Sequence, residues 1–173
     1  MQDRPDSIRS ARTCNYRIQS NMPWPPEYQR ASIDFERFMV TARDEAGLAT
    51  TNMAWNMVEG VLHVIRRRLS TNDALRFADQ LPPVVRALFL QHWTPSDQVE
   101  PVGSHAELLD EVRSLRPEHN FSPDNAIEAV GTALRSVVTS DGFERAMDVL
   151  PPELRRLWEN PAPFTSPDTP SEA

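Results

Sequence analysis

Apolar residues recur along most of this chain at intervals of three and four, the period of an amphipathic helix rather than the alternation of a strand. Over 28–46, Phe35, Phe38, Met39, Ala42 and Ala46 share one face. Over 53–69, Ala54, Met57, Val58, Val61, Leu62, Ile65 and Leu69 do the same. Ser70 stands where a third helix needs an N-cap; its Leu75, Ala78 and Leu81 face inward, and Pro82 stops it. Pro83 suits the first turn of a fourth helix, where its missing N–H would be unpaired anyway. That helix carries Val84, Val85, Leu88 and Phe89, apolar almost all round, which predicts a central position. A second series follows. Ser104-His-Ala-Glu107 is a capping box ahead of Leu108, Leu109, Val112 and Leu115. Ser122-Pro123-Asp124 supplies a cap, a first-turn proline and a dipole-matching acid for the next helix. Phe143, Ala146, Met147 and Leu150 mark the seventh, and Leu154, Leu157 and Trp158 the eighth.

The two series are copies. Residues 69–89 lie over 138–158 without a gap at an offset of 69, and seven of the 21 pairs are identical: Arg76/Arg145, Asp79/Asp148, Leu81/Leu150, Pro82/Pro151, Pro83/Pro152, Arg86/Arg155 and Leu88/Leu157. Duplicated helical units of this kind bury each other's apolar faces. The expected fold is all-α: two tandem, pseudo-symmetric four-helix repeats (about 28–93 and 104–159) packed into one helical bundle. Thr94–Gly103 links them. Residues 1–22 and 160–173, polar and proline-rich, are expected to be a disordered leader and tail around a single domain at 23–159.

Three stretches resemble the bacterial DUF2267 family, a domain of unknown function. They are Met22-Pro-Trp-Pro-Pro-Glu-Tyr28, then Ala78-x-x-Leu81-Pro82-x-x-Val85-Arg86-x-Leu88, then Trp93-x-Pro95. The resemblance covers about 22–160, and its most specific part is the doubled Leu-Pro-Pro segment with its following Arg and Leu. It implies a helical, internally repeated fold with no assigned reaction, cofactor or catalytic residue. One departure is visible: the second copy ends at Leu157-Trp158, without the longer run that follows Phe89.

Composition narrows the chemistry. A chain of 173 residues with 39% hydrophobic and 25% charged residues suits a globular domain, able to bury roughly 70% of its unfolded surface. No apolar run approaches the roughly 20 residues of a membrane span, and the start lacks a secretory core, so a cytoplasmic location is expected. The single Cys14 excludes an internal disulfide. All 18 cationic residues are arginine, which removes Schiff-base lysines and a Walker lysine. Net charge is −7. Arg4, Arg9, Arg12 and Arg17 against Asp3 and Asp6 leave residues 1–21 at +2, so the remainder carries −9 and is a poor match for phosphate backbones.

No catalytic motif stands out: there is no Gly-x-Ser-x-Gly, P-loop or Gly-x-Gly-x-x-Gly. His63, His92, His105 and His119 lie apart, and only Glu59/His63 have ligand-like spacing. No metal, cofactor or catalytic residue is therefore assigned. Arg66-Arg67-Arg68 reads as a solvated, dipole-matched helix end, with His63 on the same polar side. The duplicated Arg76, Arg86, Arg145 and Arg155, with Asp79 and Asp148, are the candidate anion contacts. Their structural alternative is that each Asp ties its helix to the next through an Arg. The tryptophans are expected to cap the core or the seam between repeats. The leading expectation is a non-enzymatic module that binds a protein partner or itself. The alternatives are a sensor of a small anionic ligand in a pocket between the repeats, and a nucleic-acid regulator using Arg66–Arg68 and the leader.

Overall fold

Nine helices and no strand make up the described residues of the computed structural model, which are 24–159 without Asp97. They are α1 (Pro26–Gln29), α2 (Ala31–Glu45), α3 (Thr51–Arg67), α4 (Thr71–Gln80), α5 (Pro83–Leu90), α6 (His105–Ser114), α7 (Ala126–Val137), α8 (Ser140–Asp148) and α9 (Pro152–Glu159). The leader and tail read from the sequence lie outside the described residues.

Local chemistry sets most boundaries. The Ser70 hydroxyl accepts the Asp73 N–H at 3.1 Å, and the Thr139 hydroxyl accepts the Gly142 N–H at 3.2 Å, opening α4 and α8. Ser104 and Glu107 close a reciprocal capping box at the head of α6. Pro82 ends α4, and Pro83 begins α5. Two boundaries differ from the sequence reading. The helix expected over 28–46 breaks at Arg30, because Pro25 and Pro26 start a separate turn upstream. Ser122 caps nothing: α7 opens at Ala126 behind Asn125, while the Ser122 hydroxyl donates to the Asn120 side chain. That buried Asn120 in turn donates to the Val112 carbonyl at 2.6 Å, so the loop is stitched inward rather than wound into the helix.

The central helix is α3, not α5. Every residue from Asn56 to Arg66 is buried, with α2, α5, α6 and α7 all packed on it. The helix α5 leaves Ala87 exposed and Val84 and Leu90 half-buried, and Leu75 of α4, expected inside, is 53% exposed. The helix α2 packs mainly on α7, α4 on α8, and α9 on α7, around one continuous apolar core. Two glycines permit close approach. A Cβ on Gly60 would stand 2.9 Å from the Val112 carbonyl oxygen, and one on Gly131 only 2.4 Å from the Trp158 ring. No helix among the described residues is long and apolar enough to cross a membrane.

Candidate functional site

The duplicated arginines do four different things. The Arg86 guanidinium donates to the carbonyls of Ala78 (2.9 Å), Asp79 (3.0 Å) and Leu81 (3.1 Å). It thereby satisfies the carbonyls that α4 leaves unpaired at its end. The Asp79 carboxylate is exposed and forms no ion pair among the described residues, so this corner is tied through backbone oxygen and not through the carboxylate. Arg76 pairs with Asp73 at 3.3 Å, not with Asp79. In the second copy the carboxylate tie does form, with Arg155 3.4 Å from Asp148 and 2.6 Å from Glu159. The bond to Glu159 holds the Arg155 pKa above its ordinary value. Arg145 donates to the Gln80 side chain at 2.9 Å, across to α4. Only Arg86 and Arg145 meet in one groove, of about 410 Å³, and Arg76 and Arg155 do not line it. Arg30 joins them there, but so do Glu27, Asp34 and Asp79, so the trough carries both signs equally.

The stripe Asn56, Glu59, His63 and Arg66 on α3, spaced three, four and three, lies inside the protein. This corrects the reading of His63, Arg66 and Arg68 as part of a solvated face, while Arg67 stays exposed as expected. Arg66 donates to the Phe89 carbonyl and, at 3.1 Å, to the Gln91 carbonyl, closing the end of α5, and its guanidinium lies 5.6 Å from the Trp93 ring centre. Burial, then neighbouring Arg67, lowers its pKa to about 10, which leaves it cationic at neutral pH. Arg68, also buried, bonds the Val64 carbonyl (2.8 Å) and Glu111 (2.6 Å), and Arg67 pairs with the same carboxylate. Arg66 and Arg68 thus use their guanidinium groups for contacts inside the protein. Burial, and next Arg66, lowers the His63 pKa, while Glu59 opposes them. Among the described residues Glu59 Oε2 and His63 Nε2 have no hydrogen-bond partner, and no group of three or more His, Cys, Asp or Glu residues is placed to hold a metal ion. His105 bonds Glu128 at 3.0 Å.

On the outer side of α3 the arrangement is apolar. Phe35 and Trp55 stack edge to face, with ring centres 5.9 Å apart and planes at 81°. Trp55 is 37% exposed. On one flank of the pair a hollow of about 450 Å³ opens between α2 and the start of α3, walled by Met39, Val40 and Thr51. On the other, a hollow of about 360 Å³ is walled by Val84, Ala87 and Leu88 of α5. Both rings line both hollows, and among the described residues Glu36 is the one charged residue lining either.

Residues 35–157 match the family model described as an uncharacterized conserved protein, DUF2267. The chain belongs to the DUF2267 family. No curated protein matches it. The DUF2267 match takes in Phe35, Trp55, the Pro82–Arg86 corner and Trp93. It begins beyond the Met22–Tyr28 stretch and stops just before Trp158. In this DUF2267 protein the sequence reading missed the Phe35–Trp55 surface. Its signal is a tryptophan among Thr51, Asn52 and Asn56, where an amphipathic helix should be polar.

Proposed function

We propose that this DUF2267 protein is a non-enzymatic helical module of two tandem, pseudo-symmetric four-helix repeats that binds a protein partner through the Phe35–Trp55 surface. The repeat reading is supported by element positions. Helices α4 and α8 begin at Thr71 and Ser140, and α5 and α9 at Pro83 and Pro152, both 69 residues apart. The packing of α2 on α7 alongside α3 on α6, with α4 on α8, fits two copies exchanging faces across a pseudo-twofold axis.

The observation that carries the binding reading is the half-exposed aromatic pair between two apolar hollows. Aromatic anchors beside pockets are where partner contacts concentrate, and isolated surface tryptophans have no comparable setting. The test is affinity capture with the full chain and with Trp55→Ser, followed by calorimetry on the purified partner. The expected result is a partner whose affinity drops at least about 30-fold in Trp55→Ser, as a hot-spot truncation does. A partner held equally by both proteins refutes the reading.

The corner groove favours a second reading, binding of a small anion by Arg30, Arg86 and Arg145. It ranks second because protein oxygens already hold Arg86 and Arg145, and three carboxylates share the groove. Native mass spectrometry of the purified chain tests it: a retained anion lost in Arg145→Ala supports this reading, and an empty chain rejects it.

A further inference from the structure

We propose that the segment received at the Phe35–Trp55 surface is a cationic amphipathic helix of another protein; this rests on the docking reading above. Three features argue for it. The two hollows share a wall, so they fit two apolar side chains projecting from one face of a single segment. They lie where α2, α3 and α5 pack together, a groove between helices of the kind that takes another helix by anchors at i and i+3 or i+4. The charge is one-sided: Glu36 lines the first hollow, forms no ion pair among the described residues, and has no cationic residue beside it in either lining. With a net charge of −7 on the whole chain, an arginine- or lysine-flanked segment is drawn in and an acidic one is repelled. The same charge argues against a second copy of this chain, because two chains of net charge −7 repel each other.

The experiment uses the full chain and two synthetic helices of about 16 residues with the same leucine pattern, one flanked by arginines and the other by glutamates. Binding is followed by fluorescence anisotropy. The arginine-flanked helix is expected to bind, and the glutamate-flanked one at least about tenfold more weakly. Glu36→Arg should weaken the first by roughly fivefold and strengthen the second. Trp55→Ala should weaken the first by at least about 30-fold, with Trp55→Phe intermediate and circular dichroism showing both variants folded at the assay temperature. Equal binding of the two helices, lost in Trp55→Ala, overturns the charge preference and leaves the docking surface standing. Binding of neither, or binding that survives Trp55→Ala, removes the docking reading as well. A concentration-dependent dimer that disappears in Trp55→Ala assigns the surface to a second copy and overturns the proposal.

Discussion

Replacing Arg66 by Met separates the inward reading of the basic run from the outward one. Methionine keeps the apolar stem, so the packing change is held below about 1 kcal/mol, while the guanidinium disappears. Two hydrogen bonds go with it, to the carbonyls of Phe89 and Gln91, and Phe89 is fully buried, so its oxygen has no route to water. Bonds from a charged donor contribute roughly 1.5–3 kcal/mol each, and the cation beside Trp93 about 0.5–1 kcal/mol more. Against this, removing a buried charge returns part of its desolvation cost. The balance is a loss of about 3 kcal/mol. Arg67, 43% exposed and paired among the described residues only with Glu111, should lose no more than about 1 kcal/mol on the same change. Urea titrations followed by tryptophan fluorescence give both numbers. If Arg66→Met were no more destabilising than Arg67→Met, the guanidinium would be solvated and the account of α3 would be wrong.

Gly131→Ala gains about 1 kcal/mol of helix propensity but drives a methyl into the Trp158 ring and disturbs its 2.9 Å bond to the Ile127 carbonyl. Overpacking of about 1–3 kcal/mol plus about 1 kcal/mol for that bond wins, so thermal unfolding should come at lower temperature. Leu81→Ala and Leu150→Ala, both truncations in the core, should each cost about 2–5 kcal/mol in chemical denaturation. Asp79→Ala should stay within about 0.5 kcal/mol of the parent, because Arg86 holds the backbone of Asp79 and not its carboxylate. For His63 the folded pKa lies below its ordinary value of 6.5. Above 6.5 both states are neutral and its contribution is intact; as pH falls below 6.5 the unfolded chain takes up the proton first and stability declines. The slope from this one group is at most about 1.4 kcal/mol per pH unit. Urea midpoints between pH 7.5 and 5.5 should fall more steeply for the parent than for His63→Gln, and equal slopes would refute the assignment.

The sequence discloses the helices because their signals are local. Hydroxyl caps at Ser70 and Ser104, and prolines at 82, 83 and 152, act within one turn, and the structure follows them. It misleads where a side chain's partner is distant in sequence. Arg66 finds its acceptors 23 and 25 residues away, and Arg68 finds Glu111 43 residues away, so periodicity alone assigns both to solvent. The corner arginines mislead for a second reason. Identical residues at 86 and 155 meet different acceptors, three carbonyls in one copy and two carboxylates in the other, so identity of letter did not carry identity of contact.

The burial of α3 on all sides links its polar stripe to the outer surface. An amphipathic helix ordinarily turns its ionisable residues outward and its aromatic ones inward, yet here His63 and Arg66 are inside while Trp55 is half-exposed. The inward arginine has a positional effect, since it fixes the carbonyls of Phe89 and Gln91 at the end of α5. Leu88 and Leu90 of α5, and Gln91 just beyond it, line the second hollow. A helix of eight residues has few internal bonds, so the hollow's far wall is held by the packing of Val85, Leu88 and Phe89 together with that anchor. The buried cation therefore belongs to the construction of the Phe35–Trp55 surface, one layer beneath the aromatic pair.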